Sequence, residues 1–472
     1  MFLRLFVLGV FAAEMYQVAH DLQHEETVSF DFDAYMEQAQ MVWDGERNYS
    51  AIRGDTGPLV YPAGHLAVYG SILKLTGWNT TTWTTEYSPK DIQGYQDRTH
   101  RPHEVLFRLQ CVFAAGYALT LGIWMYFITR AMPPLRWKGV WNAIDYASRL
   151  LTIFVGVLKG RRARHVFALG LFNDAAAATV VALALLLLSR RRWLGGCLLY
   201  SFAVAIKMNN LLYAPGLAVL LLHYTGWRRT AGYIAACAAV QVGLGAPFLM
   251  RFPVEYVAGA FNLGRQFEQR WSVNFVFLPE NVFLSKALAA GLLLATLACL
   301  AAMRATVCAL ARKQELSETP ANGALVRPGR SASSPFSGPA IVAAPPNGVP
   351  QAAADRIVEQ HVLLVMAASN IVGVVLARSI HFQFFVWYWH AVLLHAVTSR
   401  VPGVFWPVWG YFFMRFWEFH PPTELSSAVV CTCHALLLLS MAWGWKSHVP
   451  GLTPTGAAFE FKTAATTKEK RE

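Results

Sequence analysis

Apolar segments separated by short polar ones follow one another along almost the whole of this 472-residue chain. Many of them approach the roughly 20 residues that a helix needs to cross a bilayer. We predict spans at about 2–20, 59–76, 105–129, 147–160, 165–189, 194–206, 211–223, 230–250, 284–303, 358–377, 384–399, 402–418 and 424–445. The pattern therefore predicts an all-α polytopic membrane protein with roughly ten to thirteen helical segments.

The apolar segments on either side of "IKMNN" and "RSIHFQF" are too short for simple crossings. Irregular backbone at membrane depth is tolerated only where it is buried in protein or lines a polar cavity. We therefore expect hairpins or broken helices at these two places.

Composition agrees with a membrane protein. Hydrophobic residues make up 55% of the chain and charged residues 14%, and the mean hydropathy is +0.36. A soluble chain normally carries about a quarter charged residues. The net charge of +12 comes from basic clusters beside apolar segments, which is typical of cytoplasmic loops. We expect no nucleic-acid partner; the clusters are Arg190, Arg191 and Arg192; Arg228 and Arg229; and Arg304, Arg312 and Lys313.

The seven cysteines predict no disulfide framework or metal centre, because nearly all of them fall within apolar segments. The sequence "CTCH" at Cys431–His434 has no second Cys/His pair to complete a zinc site. We expect neither a metal nor a cofactor.

The pattern divides the chain into six parts. We predict a first transmembrane span at 1–20, a lumenal loop at 21–58, a transmembrane helical core at 59–303 with a lumenal loop at about 251–283, a disordered cytosolic loop at 304–357, C-terminal transmembrane helices at 358–445 and a cytosolic tail at 446–472. Lys468 and Lys470 near the C-terminus are similar to the dilysine signal of endoplasmic reticulum proteins. The sequence thus predicts a multi-pass protein among the lipids of that membrane.

Acidic residues are scarce in this chain, yet six of them cluster in the loop at 21–58: Asp31, Asp33, Glu37, Asp44, Glu46 and Asp55. Asp31 and Asp55 are the candidates for chemistry. The alternative for Asp55 is ordinary turn formation before Gly57 and Pro58. We expect the other four carboxylates to form the solvated side of the loop.

Other polar residues lie inside or beside apolar segments, where ionisable groups are costly and indicate function. The candidates are Asn173, Asp174, Lys207, Arg265, Arg378, His381, Gln383, Trp387 and Tyr388. Structural alternatives exist for several of them. Asp174 is also suited to capping a helix, Lys207 to reaching a lipid interface, and Trp387 and Tyr388 to an interfacial aromatic belt.

One reaction matches this set of residues. Moving a sugar from a lipid phosphate to a hydroxyl needs a base for the hydroxyl proton and cations for the departing phosphate. A carboxylate at the membrane face supplies the base, and Arg, Lys and His supply the phosphate contacts.

Seven stretches, "DFDAYM", "GDTGPLVYPAG", "LFND", "KMNNLLYAPG", "LGRQF", "FLPE" and "RSIHFQFFVWYWH", resemble the dolichyl-phosphate-mannose-dependent α-1,3-mannosyltransferases of asparagine-linked glycosylation. The resemblance implies a GT-C type transmembrane helical bundle with a catalytic Asp in its first lumenal loop. It implies an inverting transfer from dolichyl-phosphate mannose to Man5GlcNAc2-PP-dolichol in the lumen of the endoplasmic reticulum. On this basis Asp31 is the predicted general base and Asp55 the second candidate.

The chain departs from the family pattern at several positions. Phe32 stands where the family usually has Trp, and "LFND" follows Gly170 where the family generally has Arg. Ala175 replaces a Pro. A phosphate contact carried by the missing Arg would be lost or would move to nearby Arg164.

We further predict that Arg378 and His381 hold a lipid phosphate, and that Phe32, Tyr35 and Met36 anchor a short amphipathic helix in the membrane interface. Three other functions remain open from the sequence. They are a multi-span transporter, another dolichyl-phosphate-sugar transferase that acts on a later acceptor, and a non-catalytic subunit.

Overall fold

The computed structural model describes residues 2–24, 29–78, 103–132, 139–262, 268–318 and 351–445. Within these ranges the α-helices are α1 (Phe2–His24), α2 (Phe30–Trp43), α3 (Ala63–Thr76), α4 (His103–Ala131), α5 (Val140–Leu158), α6 (Arg161–Arg164), α7 (Asn173–Ser189), α8 (Trp193–Ile206), α9 (Ala214–Leu249), α10 (Pro253–Ala260), α11 (Glu280–Phe283), α12 (Lys286–Glu318), α13 (Gln351–Val375), α14 (Trp389–Thr398), α15 (Phe405–Trp417) and α16 (Glu424–Trp445). The strands β1 (Arg53–Gly54) and β2 (Gly57–Pro58) form a small antiparallel hairpin.

Most of the predicted spans exist as helices. Six helices of the described part are long and apolar enough to cross a membrane, namely those within 2–24, 104–131, 208–249, 286–303, 358–375 and 424–443. A seventh crossing arises if the helical pair 140–169 and 173–189, bent by 100°, counts as one span. The all-α polytopic architecture predicted from the hydropathy pattern is confirmed.

Both predicted breaks are also present. Helix α8 ends at Lys207, whose backbone is extended (φ −151°, ψ 123°), and a 3-10 turn follows at Met208–Tyr213. A second 3-10 turn, Phe382–Trp387, precedes α14. Long helix α9 is interrupted at Gly226, where φ is +73°. These breaks place backbone and polar side chains between packed helices rather than in lipid.

The segment predicted as a span at 59–76 is not among the described helices that are long and apolar enough to cross a membrane. Helices α1 and α4 are antiparallel, since Tyr117 of α4 donates to Glu14 Oε1 at 2.9 Å while Phe11 lies beside Gly122. The end of α1 and the start of α4 are therefore on one side of the bundle. Helix α3 has 14 residues and packs against α2, α8 and α9. Leu66, Tyr69 and Leu73 are buried in protein on this side, which we call the α2 face, whereas Leu75 is exposed.

Helix α2 forms where an amphipathic helix was expected, but its environment differs from the prediction. The Ser29 hydroxyl accepts from the Asp31 backbone N–H at 3.0 Å and caps the helix. Phe32, Tyr35 and Met36 are at most 1% exposed. They pack against α3 instead of anchoring in a lipid interface, with the Phe32 ring 5.3 Å from the Trp78 ring.

The predicted boundaries of the loop at 304–357 are too wide. Helix α12 continues to Glu318 and α13 begins at Gln351. The residues from 304 to 318 are mostly Ala, Leu, Arg, Lys, Gln and Glu, which favour helix. Residues 319–350 of this loop and the predicted tail at 446–472 lie outside the described residues.

Candidate active site

The start of α7 carries two of the predicted site residues in an unusual backbone. A π-helical turn at His165–Leu169 precedes it, and Leu171 has φ +53°, a left-handed conformation that non-glycine residues rarely adopt. A Cβ at Gly170 would lie 2.5 Å from the Phe172 ring, so the tight turn has no room for a side chain at this position.

Asp174 is the centre of a buried polar network. Its Oδ2 accepts from Lys207 Nζ at 2.7 Å, and its Oδ1 accepts from the indole N–H of Trp387. Lys207 also donates to Asn173 Oδ1 at 3.0 Å. The structure therefore joins four of the predicted residues, Asn173, Asp174, Lys207 and Trp387. Lys207 is 6% exposed and does not reach an outer interface.

Aromatic rings surround the Lys207 ammonium. Its Nζ lies 5.5 Å from the centre of the Tyr61 ring and 5.6 Å from those of Phe384 and Trp387. Cation–π attraction and the ion pair to Asp174 together offset the cost of burying the charge. Lys207 thereby holds the broken end of α8 against α7 and the 3-10 turn at Phe382–Trp387.

Asn173 links this network to α2 and α3. Tyr35 Oη donates to Asn173 Oδ1 at 3.4 Å, and Asn173 Nδ2 lies 3.3 Å from His65 Nδ1. Burial, and then the charge of Lys207, lower the pKa of His65 to about 3. His65 is therefore neutral at physiological pH and serves as a hydrogen-bonding partner here.

Asp31 stands at the edge of the same network. It lies one helical turn before Tyr35 and is half-buried. Burial raises the pKa of Tyr35 well above its ordinary value, and the next contribution comes from the Asp31 carboxylate, with Asp174 also acting in the same direction. Asp31 thus lies within electrostatic range of the Asn173–Asp174 region. The first turn of a helix is also a favourable place for a carboxylate.

Asp55 has a different environment. It is exposed in the β1–β2 turn, and its backbone N–H donates to Glu37 Oε2 at 2.8 Å. Glu37 was expected on a solvated side but is half-buried against the hairpin. Burial, together with the smaller effect of the nearby Asp55 and Asp33 carboxylates, raises the pKa of Glu37 to about 7, against the lowering effect of the Asp55 N–H. Asp33 and Glu37 are four residues apart, so the sequence already indicated that their carboxylates lie on the same side of a helix.

His381 belongs to a cluster of one arginine and two histidines around the ring of Phe382. The His381 and His420 rings lie 4.5 and 4.6 Å from the Phe382 ring, and the Arg162 guanidinium carbon lies 4.8 Å from its centre. We call Arg162, His381 and His420 the Phe382 cluster.

The Phe382 cluster has the properties of an anion site. Burial, followed by smaller effects of His420, Lys207 and Arg162 in that order, lowers the pKa of His381 to about 4. Nδ1 of His381 is buried and has no hydrogen-bond partner among the described residues. Arg162 supplies a positive charge beside this nitrogen, and the two imidazoles, although neutral at physiological pH, can donate hydrogen bonds, so the arrangement can stabilise an anion. Sequence reasoning missed Arg162 and His420 because they are distant in the chain.

The remaining predicted residues lie apart from this cluster. Arg378 lies with its guanidinium carbon 5.7 Å from the Phe283 ring and is not among the groups that act on His381. Gln383 is buried in the 3-10 turn. Tyr388 is 1% exposed, with Oη 2.7 Å from His434 Nε2, so it belongs to the core and not to an aromatic belt. Arg265 lies outside the described residues.

Arg164 cannot replace the missing arginine as a phosphate contact. Its Nη1 donates to Glu14 Oε2 at 2.9 Å and its Nε to Asp21 Oδ2 at 2.8 Å. All three side chains are buried. Two carboxylates of α1 already neutralise this guanidinium, so it ties α1 to α6 and the prediction for Arg164 is wrong.

A known protein family matches the segments of the chain that carry these residues. The family described as ALG3 protein matches residues 10–87 and 96–427, which include α2, the network around Lys207 and the Phe382 cluster. The chain belongs to the ALG3 protein family. The match extends over most of the chain, so the resemblance in the quoted motifs is confirmed.

Members of the ALG3 family from distant organisms match at similar levels. A relative from Arabidopsis thaliana is 32% identical over 92% of this chain and 87% of its own length. Relatives from Mus musculus and Homo sapiens are 31% and 32% identical, over 93% and 90% of this chain and 86% and 83% of their own lengths. All three are named Dol-P-Man:Man(5)GlcNAc(2)-PP-Dol alpha-1,3-mannosyltransferase.

Proposed function

We propose that this protein transfers mannose from dolichyl-phosphate mannose to Man5GlcNAc2-PP-dolichol and forms an α-1,3 linkage with inversion. Membership of the ALG3 family and the names of its relatives support this activity. The observation that carries the mechanism is the buried hydrogen-bonded network of Tyr35, Asn173, Lys207 and Asp174. In this proposal Asp31, one helical turn before Tyr35, lies at one end of the network, and the Phe382 cluster, which is within electrostatic range of Lys207, lies at the other.

Asp31 acts as the general base in this proposal. Its carboxylate takes the proton of the acceptor hydroxyl while the hydroxyl oxygen forms a bond to C1 of the donor mannose. The bond between C1 and the phosphate oxygen breaks on the opposite side of the sugar, which inverts the configuration. Dolichyl phosphate leaves with the electron pair of that bond. Asp55 is the second candidate for the base.

The Phe382 cluster stabilises the departing phosphate. Arg162 contributes a fixed positive charge, and its Nη2 already donates to the Glu418 carbonyl oxygen at 3.0 Å, which holds it in place. His381, neutral near pH 7, donates a hydrogen bond from one ring nitrogen. Such preorganised donors act most strongly where charge develops in the transition state. Arg378 and Arg265 remain secondary candidates for phosphate contacts.

Lys207 is a positioning residue in this mechanism. Its hydrogen bonds to Asn173 and Asp174 are made within the protein, and Asp174 in turn holds Trp387 at the end of the 3-10 turn. The ammonium therefore fixes the distance between the α2 side and the Phe382 side of the site.

The α2 face is lumenal in this proposal, and the C-terminal tail is cytosolic, in the membrane of the endoplasmic reticulum. The basic loop at Arg190–Arg192 supports this orientation because it follows the other end of α7.

The function is tested by the lipid-linked oligosaccharides of cells that lack this protein. Accumulation at the five-mannose stage, reversed by the wild-type gene, is the expected result. Accumulation of a lipid-linked oligosaccharide with more than five mannoses would indicate that the protein acts on a later acceptor. An unchanged set of lipid-linked oligosaccharides would contradict the proposal. Purified protein should use dolichyl-phosphate mannose and should be inactive when GDP-mannose is the only donor.

A further inference from the structure

A groove of about 480 Å³ lies between α2 and α3, apart from the network around Lys207. Its lining consists of Ala39, Val42, Trp43, Arg47, Leu66, Ala67, Gly70, Ser71 and Lys74. The volume is in the range of ligand pockets in proteins. None of the lining residues is acidic, two are cations, and small or apolar side chains form most of the remainder. This combination suits a phosphorylated lipid.

The two cations of the groove are held at its edge. Lys74 is exposed, and its Nζ lies 5.8 Å from the centre of the Trp43 ring. Arg47 Nη1 donates to the backbone carbonyl oxygens of Val42 and Glu46, the latter at 2.7 Å. Both bonds use Nη1, so donors on Nε and Nη2 remain for a ligand. Arg47 is therefore a preorganised group.

Carboxylates near the groove are engaged elsewhere. Asp44 Oδ1 accepts from Gln40 Nε2 at 2.8 Å, and Glu46 Oε1 accepts from the backbone N–H groups of Arg47 and Asn48, each at 2.7 Å. Within the described ranges, neither Arg47 nor Lys74 forms an ion pair. The groove thus keeps a local positive charge although the surrounding segment is acidic.

The position of the groove along α2 matches the shape of the acceptor. Ala39, Val42 and Trp43 follow Asp31 by eight to twelve residues, which is roughly 12–18 Å along a helix axis. Val42 lies on the same side of α2 as Asp31 because eleven residues make close to three turns. In Man5GlcNAc2-PP-dolichol two N-acetylglucosamines and at least one mannose separate the diphosphate from a mannose hydroxyl. The diphosphate must therefore bind well away from the base.

We infer that the groove between α2 and α3 binds the diphosphate and the first isoprene units of the lipid-linked acceptor. Arg47 and Lys74 contact the diphosphate, while Trp43, Leu66 and the small residues contact the lipid. This inference rests on the proposed function. It assigns the acceptor lipid to the α2–α3 side and leaves the donor phosphate to the Phe382 cluster, so that the two sugars meet at Asp31.

The test is steady-state kinetics of purified full-length variants in liposomes of neutral phospholipid. Lys74→Glu reverses one charge at an exposed position. Gly70→Leu fills the groove, and because a Cβ at Gly70 meets nothing within 4 Å and leucine favours helix, the fold is expected to persist. Arg251→Ala, which removes an exposed cation at the end of α9 outside the groove, is the matched control.

Both groove variants should raise the acceptor KM roughly tenfold or more, with little change in kcat or in the donor KM. The same variants should lose the preference of the wild type for Man5GlcNAc2 on a diphosphate lipid over the free glycan. An unchanged acceptor KM in both variants would overturn the inference. An equal rise of the acceptor KM in Arg251→Ala would also overturn it, because that result would indicate a general attraction between surface cations and the anionic lipid. If the wild type transfers no mannose to either acceptor, the proposed function itself fails.

Discussion

Lys207 and Asp174 form a buried ion pair of 2.7 Å between the end of α8 and the start of α7. The side chains are 8% and 0% exposed, respectively. Lys207 also donates to Asn173, the neighbour of Asp174 on α7, and Asp174 holds Trp387 of the 3-10 turn. Because Asn173 also accepts from Tyr35 of α2, the pair joins the α2 side of the candidate site to the side of the Phe382 cluster.

Removing one partner of this pair should be more harmful than removing both. Lys207→Met leaves the Asp174 carboxylate buried without its counter-charge, at a cost of about 3–5 kcal/mol in the free energy of unfolding. The double variant Lys207→Met/Asp174→Leu should recover part of that loss. Thermal unfolding of the detergent-solubilised proteins measures the difference. A double variant that is less stable than the single one would contradict this account of the pair.

Arg162 should matter more for donor use than Arg378. Arg162→Ala removes a charge from the Phe382 cluster, and we expect kcat/KM for dolichyl-phosphate mannose to fall by an amount equivalent to about 2–4 kcal/mol. Arg378→Ala serves as the comparison, because Arg378 lies over Phe283. We expect a much smaller effect there. A larger loss of kcat/KM in Arg378→Ala than in Arg162→Ala would contradict this prediction and assign the phosphate contact to Arg378.

Glu37 should make stability depend on pH. Its pKa of about 7 in the folded protein is above the ordinary value of 4.5, so the folded state binds this proton more tightly than the unfolded state. The resulting stabilisation is fully present below about pH 4.5 and is lost as the pH rises through about 7.

Glu37→Gln keeps the side-chain shape and removes the titration. The variant should therefore show a flatter dependence of Tm on pH between 5 and 8 than the wild type. Asp44→Asn, a change of an exposed carboxylate at the C-cap of the same helix, is the control. Parallel curves for wild type and Glu37→Gln would show that burial of Glu37 has no consequence for stability.

The hydropathy pattern predicted the long helices because their apolar side chains face either lipid or other helices, and both give the same sequence signal. Because of this ambiguity, the pattern also predicted a span at 59–76. Helix α3 is apolar since it packs against α2, α8 and α9, not because it crosses a membrane. Hydropathy does not distinguish a helix that crosses the membrane from one that is packed within the protein. The antiparallel pairing of α1 with α4, in which Tyr117 donates to Glu14, supplies the missing information.

The site was partly predictable. "LFND", "KMNN" and "HFQFFVWYWH" marked Asn173, Asp174, Lys207 and His381 because polar groups inside apolar segments are conspicuous. Their pairing was not visible in the sequence, since it depends on contacts between distant segments such as Trp387 with Asp174. Arg162 and Arg164 show the limit clearly. The two are neighbours in "RRAR", yet one lies over Phe382 and the other is neutralised by Glu14 and Asp21.

The central claim is that Asp31 is the general base, and paired isosteric substitutions test it most directly. Asp31→Asn and Asp55→Asn are purified in the same lipid, checked for equal Tm, and assayed for single-turnover transfer from dolichyl-phosphate mannose. We predict that Asp31→Asn retains binding of both substrates and lowers the rate by roughly a hundredfold or more, while Asp55→Asn keeps most of it. A near wild-type rate for Asp31→Asn together with an inactive Asp55→Asn would contradict the account and assign the base to Asp55.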